Sequence, residues 1–100
     1  MTLEMKTVEI RVKLLGFLAR LHGSGEAALR FDESPRLRDL LEKLARRKRR
    51  FRKAIFDEDG GLRWNLLILV NRRDISVLEG LDTRLRDGDE VVLAPVSHIG

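Results

Sequence analysis

The chain has no cysteine and no tyrosine among its 100 residues. Without cysteine there are no disulfides, no thiolate metal ligands and no cysteine nucleophile, and the chain is expected to be cytoplasmic. No apolar run approaches the ~20 residues that a membrane span needs, and the N-terminal stretch lacks the apolar core of a signal peptide, so no membrane partner is expected. Aromatics amount to 5%, which leaves little for stacking nucleic-acid bases. Catalytic side chains are also scarce. The two histidines, His22 and His98, have no metal-ligand spacing. Ser97 precedes His98 directly, neighbours in sequence rarely make a nucleophile–base pair, and no acid is evident to orient that histidine, so a serine hydrolase is not expected. Asp57-Glu58-Asp59-Gly60 lacks the spaced ligands and closing glutamate of a calcium loop and reads as a solvated turn. There is no glycine-rich phosphate loop. The residues therefore point away from an enzyme and imply no bound cofactor or metal.

What the chain has is charge, 36% of its residues, with a net of +4. That net conceals an uneven distribution. Residues 1–35 balance, residues 36–53 carry ten basic and two acidic groups, and residues 54–100 carry five basic and nine acidic. The densest basic run is Arg46-Arg47-Lys48-Arg49-Arg50-Phe51-Arg52-Lys53. It reads either as the solvated C-terminal end of a helix, where cations complement the dipole, or as a grip on the phosphates of RNA or another polyanion. The dipole reading is the favoured one.

Val8, Ile10, Val12 and Leu14 alternate with polar residues, as in a half-buried strand. Leu15 to Leu21 changes period and predicts a short helical turn capping the sheet edge. Ala27, Leu29 and Phe31 alternate again, which gives an antiparallel hairpin with the first strand. Ser34-Pro35 is a helix-start signal. Leu37, Leu40, Leu41 and Leu44 share one helical face, so a main helix is expected to about Arg47, then a second helical stretch with Phe51, Ile55 and Phe56. Leu66 to Val70 is a buried strand, Asn71 tolerates a left-handed turn, and Ile75 to Gly80 reads as a brief edge strand and turn. Asp87-Gly88 turns into a last strand, Val91 to Ala94, placed to pair parallel to the first in mid-sheet. Pro95 is expected to end that pairing. The order is that of an α+β ubiquitin-like roll, the β-grasp: a mixed four- to five-stranded sheet with one main helix across one face. The domain is expected over residues 1–94, with a flexible tail over 95–100.

The segment from Val70-Asn71 through Leu81-Asp82-Thr83 to Asp87-Gly88-Asp89-Glu90-Val91, followed by Pro95, resembles the MoaD/ThiS family of sulfur carriers. This family comprises the molybdopterin synthase small subunit, the thiamine sulfur carrier and the archaeal ubiquitin-like small modifiers. The resemblance implies that the terminal carboxylate, Gly100, is adenylated by an ATP-dependent activating enzyme. The adenylate is then thiocarboxylated, or conjugated to target proteins. Pro95, Val96, Ser97, His98 and Ile99 would thread into the activating enzyme. The exposed faces of the last strands, Leu93 included, would dock it and a second partner such as the molybdopterin synthase large subunit. Asp87, Asp89 and Glu90 would meet a basic surface near the tail. The family hallmark is a terminal Gly-Gly, whereas this chain reads Ile99-Gly100. A natural chain with one more glycine restores the pair, while a branched residue at the penultimate position hinders threading. Where the family commonly has glycine after the asparagine, this chain has Arg72. The alternative reading is a non-catalytic β-grasp module that binds RNA or another polyanion through Arg46, Arg47, Lys48, Arg49 and Arg50.

Overall fold

The computed structural model describes residues 7–96. Strand β1 spans Val8–Leu14 and β2 Glu26–Phe31, with the short helix α1, Phe17–His22, between them. Two helices follow, α2 over Leu37–Leu44 and α3 over Arg49–Ile55. Strands β3, Leu66–Val70, and β4, Arg73–Asp74, form a hairpin, and β5 spans Glu90–Pro95. The sheet order is β2-β1-β5-β3-β4. The β1–β5 pair is parallel and the other pairs are antiparallel. The last strand thus lies at the centre, the mixed five-stranded sheet of a β-grasp roll.

Period-two alternation sets the inner face. Ile10, Val12 and Leu14 of β1, Ile68 and Val70 of β3, and Val91 and Leu93 of β5 are all buried. They meet Leu37, Leu40, Leu41 and Leu44, the apolar stripe of α2, which is also buried. Each such side chain contributes about 1.5–3 kcal/mol by leaving water, so this one contact layer dominates the stability of the fold. Leu85, fully buried, closes the layer from below.

Several expectations are corrected here. The helix does not start at Ser34-Pro35. The Ser34 hydroxyl donates to the Leu85 carbonyl at 2.6 Å, and the Leu85 N–H donates to the Pro35 carbonyl at 2.9 Å. This dipeptide anchors the crossing segment, and α2 begins two residues later. There the Asp39 carboxylate accepts from the Arg36 N–H at 2.9 Å. Nor does α2 reach Arg47. It ends at Leu44, the buried Ala45 follows, and Arg47 takes a left-handed φ of 62°. The edge strand is Arg73–Asp74, upstream of its expected place, and Ile75–Val77 is a 3-10 turn. Helix α1 packs on α3 and β5 and does not cap the sheet edge: the His22 ring meets Phe51 edge-on, with centroids 5.0 Å apart.

Candidate functional site

The two ends of β5 differ in kind. At its entry, every acid is engaged by the fold. Asp87 accepts from the Glu9 N–H at 2.8 Å. Asp89 accepts from the Arg86 N–H at 2.7 Å and from the Asn71 amide at 2.9 Å. Asn71 in turn accepts from the Glu90 N–H at 3.0 Å. Glu90 pairs with Lys13 at 3.5 Å. Asn71 and Arg72 both have positive φ, 50° and 70°, the backbone of a type I′ hairpin turn. Asn71 therefore serves as turn residue and as clasp on β5. Asp87, Asp89 and Glu90 were expected near the tail. They lie instead at the opposite end of β5, about 17 Å from its exit at ~3.3 Å per residue.

At the exit, Pro95 does not end the pairing. It is the last residue of β5, opposite Leu66, and the Val96 N–H donates to the Asn65 carbonyl at 2.9 Å. The ladder accommodates a proline because position 95, like Leu93 whose carbonyl accepts from Leu15, faces the β1 side. The neighbouring chain has turned away there at Gly16, so no partner is left for an N–H. Gly16 has a φ of 59°, and a Cβ on it would stand 3.0 Å from the Pro95 ring. Pro95 and Val96 are thus part of the folded body. Ser97, His98, Ile99 and Gly100 lie outside the described residues.

Two apolar surfaces adjoin this exit. Among the described residues five large apolar side chains are exposed, and four of them, Leu15, Phe17, Trp64 and Val96, belong to the segments meeting at the exit of β5. The second surface is the outer face of the sheet. Register places Leu67 opposite Ala94 and Leu69 opposite Val92, all on the face away from the helices. Lys13 borders Val92 on the β1 side. Leu93 was expected among the docking residues, but it points inward and is fully buried. Its neighbours Val92 and Ala94 take the outward positions, since alternation sends adjacent side chains to opposite faces.

The basic run divides between the turn 45–48 and α3. Lys48 donates to the His22 carbonyl and Arg52 pairs with Glu42 at 2.6 Å, so both belong to the fold. Burial, reinforced by the nearby Lys48 charge, holds the His22 ring below its ordinary pKa against an opposing hydrogen bond with the Leu44 backbone. Among the described residues, the buried His22 Nδ1 has no hydrogen-bond partner. The described residues contain no cluster of three or more His, Asp or Glu suited to a metal, and no helix long and apolar enough to cross a membrane.

Central β5 with its exposed exit defines a ubiquitin-like protein of the β-grasp class. The ThiS family model matches residues 12–97, and the chain belongs to that family of sulfur carriers and ubiquitin-like modifiers. It is a carrier or modifier, not an enzyme. Members of the family work without a bound cofactor, and the ATP is used by the activating partner. Among solved structures, the small archaeal modifier protein 1 of Methanosarcina acetivorans is 32% identical, with a TM-score of 0.78 over 95% of this chain and 99% of that one. A candidate molybdopterin converting factor subunit 1 from Pyrococcus furiosus is 31% identical, with a TM-score of 0.71 over 90% and 99%. Haloferax volcanii small archaeal modifier protein 1 is 25% identical, with a TM-score of 0.80 over 92% and 99%. No curated protein sequence matches the chain.

Proposed function

We propose that the chain carries sulfur, or its own acyl group, on its terminal glycine carboxylate, Gly100. The activating enzyme joins that carboxylate to the α-phosphate of ATP and releases pyrophosphate. A sulfur nucleophile then displaces AMP to leave a thiocarboxylate; in the modifier variant an amine displaces it to leave an amide. AMP is the leaving group in both cases, so the carrier needs no acid, base or nucleophile of its own.

The observation that carries this reading is the exit of β5. The strand that leads to the terminus lies in mid-sheet, is fixed as far as Val96, and leaves between exposed apolar groups. A docked enzyme can therefore hold the carrier rigidly while whatever follows Val96 enters its pocket. We assign the outer face Leu67, Leu69, Val92 and Ala94, with Leu15, Phe17 and Val96, as the enzyme-docking surface. Such a patch supplies the apolar centre an interface requires. The likeness to a candidate molybdopterin converting factor subunit supports a molybdopterin synthase large subunit as the second partner on the same surface. The modifier relatives support target proteins as alternative acceptors.

Incubation with an activating enzyme, ATP and a sulfur donor, followed by intact mass measurement, tests the reading. A mass increase equal to sulfur replacing oxygen is expected. It should vanish when one alanine is appended after Gly100, and unchanged yield from the extended chain would sink the mechanism.

A further inference from the structure

The fold explains only part of the basic run. Cations at a helix C-terminus complement the dipole, as Arg52 and Lys53 do in the last turn of α3, but the run also opens that helix. Arg49 and Arg50 occupy the first turn of α3, with no acid there, at the positive end of its dipole. Arg49 and Lys53 stand four residues apart on the face opposite the buried Phe51 and Ile55, and like charges at that spacing repel. Arg47 holds a left-handed φ of 62°, where glycine would be less strained. Glu42 is engaged by Arg52. Arg46, Arg47, Arg49, Arg50 and Lys53 are all exposed and make no ion pair with a described residue.

We propose that the turn 45–48 and the exposed face of α3 bind the phosphate backbone of a duplex nucleic acid without reading its sequence. Four of the five free cations are arginines, whose planar forks suit phosphate oxygens. Among the described residues of the run no large apolar side chain is exposed to serve as an anchor, because Phe51 and Ile55 point inward. A protein partner would need such an anchor at the centre of its interface. No exposed aromatic lies in the run to stack an unpaired base, which favours a duplex over a single strand.

The position has a consequence for the carrier. Lys48 ties the turn to the last residue of α1 through the His22 carbonyl, and α1 starts beside Gly16 and Pro95. One six-residue helix, about 9 Å long, separates the basic turn from the exit of β5. A nucleic acid held there lies on the side of the carrier from which its terminus departs.

Fluorescence anisotropy with a labelled DNA duplex and a labelled RNA duplex of mixed sequence tests the proposal on the full chain. Five phosphate contacts predict a slope of log K against log salt of about −4.5 on DNA, a loss of several hundred-fold between about 50 and 200 mM salt. Changing Arg46, Arg49, Arg50 and Lys53 together to Gln should reduce that slope by about 3.6. An equal charge removal elsewhere, Arg11→Gln with Arg72→Gln, Arg73→Gln and Arg86→Gln, should leave most of it. Thermal unfolding checks that both variants are folded, and the single reversal Lys53→Glu gives a second reading if the quadruple variant is not. The proposal is overturned by absence of binding at low salt or by equal losses in the two variants. Tighter binding of polyglutamate than of the duplex at matched charge also overturns it, in favour of an acidic protein partner.

Discussion

The entry and exit of β5 are built from opposite materials. At the entry, Asp87, Asp89, Glu90 and Asn71 satisfy backbone N–H groups, one another and Lys13, and little is left for a partner. At the exit, backbone bonds such as Val96–Asn65 and Leu15–Leu93 hold the strand, and the surroundings are exposed Leu15, Phe17 and Trp64. The difference teaches that charge near a functional segment in sequence is no guide to the charge that a partner meets. The acidic turn fixes where β5 starts, and so fixes where it ends.

The sharpest way to probe this contrast is within one strand. Leu93→Ala should cost about 2–5 kcal/mol in urea unfolding, since its side chain is fully buried. Val92→Asp, one residue earlier on the outer face, should leave stability within about 1 kcal/mol. It should nevertheless lower the rate of adenylation tenfold or more at subsaturating carrier. If Val92→Asp activates normally, the docking face is wrong.

At the entry, Asn71→Ala removes two side-chain bonds and a residue suited to positive φ, for a loss of about 2–3 kcal/mol. Activation of the variant that remains folded should be near normal, because the clasp is remote from the exit. At the exit the order reverses. Gly16→Ala brings a Cβ against Pro95 at positive φ and should cost about 1–2 kcal/mol. It should impair activation by more than this loss explains, because it displaces the strand end. Equal functional loss from Asn71→Ala and Gly16→Ala would erase the distinction between the two ends.

Two smaller effects complete the series. Arg72→Gly should stabilise the hairpin turn by about 1 kcal/mol, as glycine carries no strain at a φ of 70°. His22 has its pKa lowered in the folded state, so the unfolded chain binds its proton more readily. Stability from this group is complete above the ordinary histidine pKa of about 6.5 and is lost as pH falls through that value and toward the folded one. His22→Phe should remove that component from unfolding midpoints measured between about pH 7 and 5. Unaltered acid sensitivity in the variant would assign it to the carboxylates.

The strands, the leucine stripe of α2 and the parallel placement of β5 were legible because alternation and i, i+3, i+4 spacing are local consequences of burial. Ser34-Pro35 misled because the backbone at this dipeptide is held extended against residue 85, with the Ser34 hydroxyl donating to the Leu85 carbonyl and the Pro35 carbonyl accepting from the Leu85 N–H, so the helix starts only beyond it. Pro95 misled because the rule against proline in a ladder depends on which side the missing N–H faces. The break between α2 and α3 was expected near Arg47 and comes earlier, after Leu44, since Ala45 and Arg46 are acceptable helix residues and do not mark it. The signal for an outward Val92 and an inward Leu93 was present in the alternation, once Val91 was placed in the core.

By itself, the sequence determined the β-grasp order, the core face of each strand and helix, and the asparagine turn, because each follows from spacing along one segment. The resemblance carried by residues 70–100 also lay in the sequence, and with it the family. Only the tertiary structure decided that the acids of 87–90 serve the fold, that Leu93 faces the core, and that Pro95 and Val96 are anchored. It also placed Arg49 and Arg50 in the first turn of a second helix, where the end of the first was expected. Those outcomes depend on which groups from distant segments reach a given atom first, and that competition is settled only when the chain is packed.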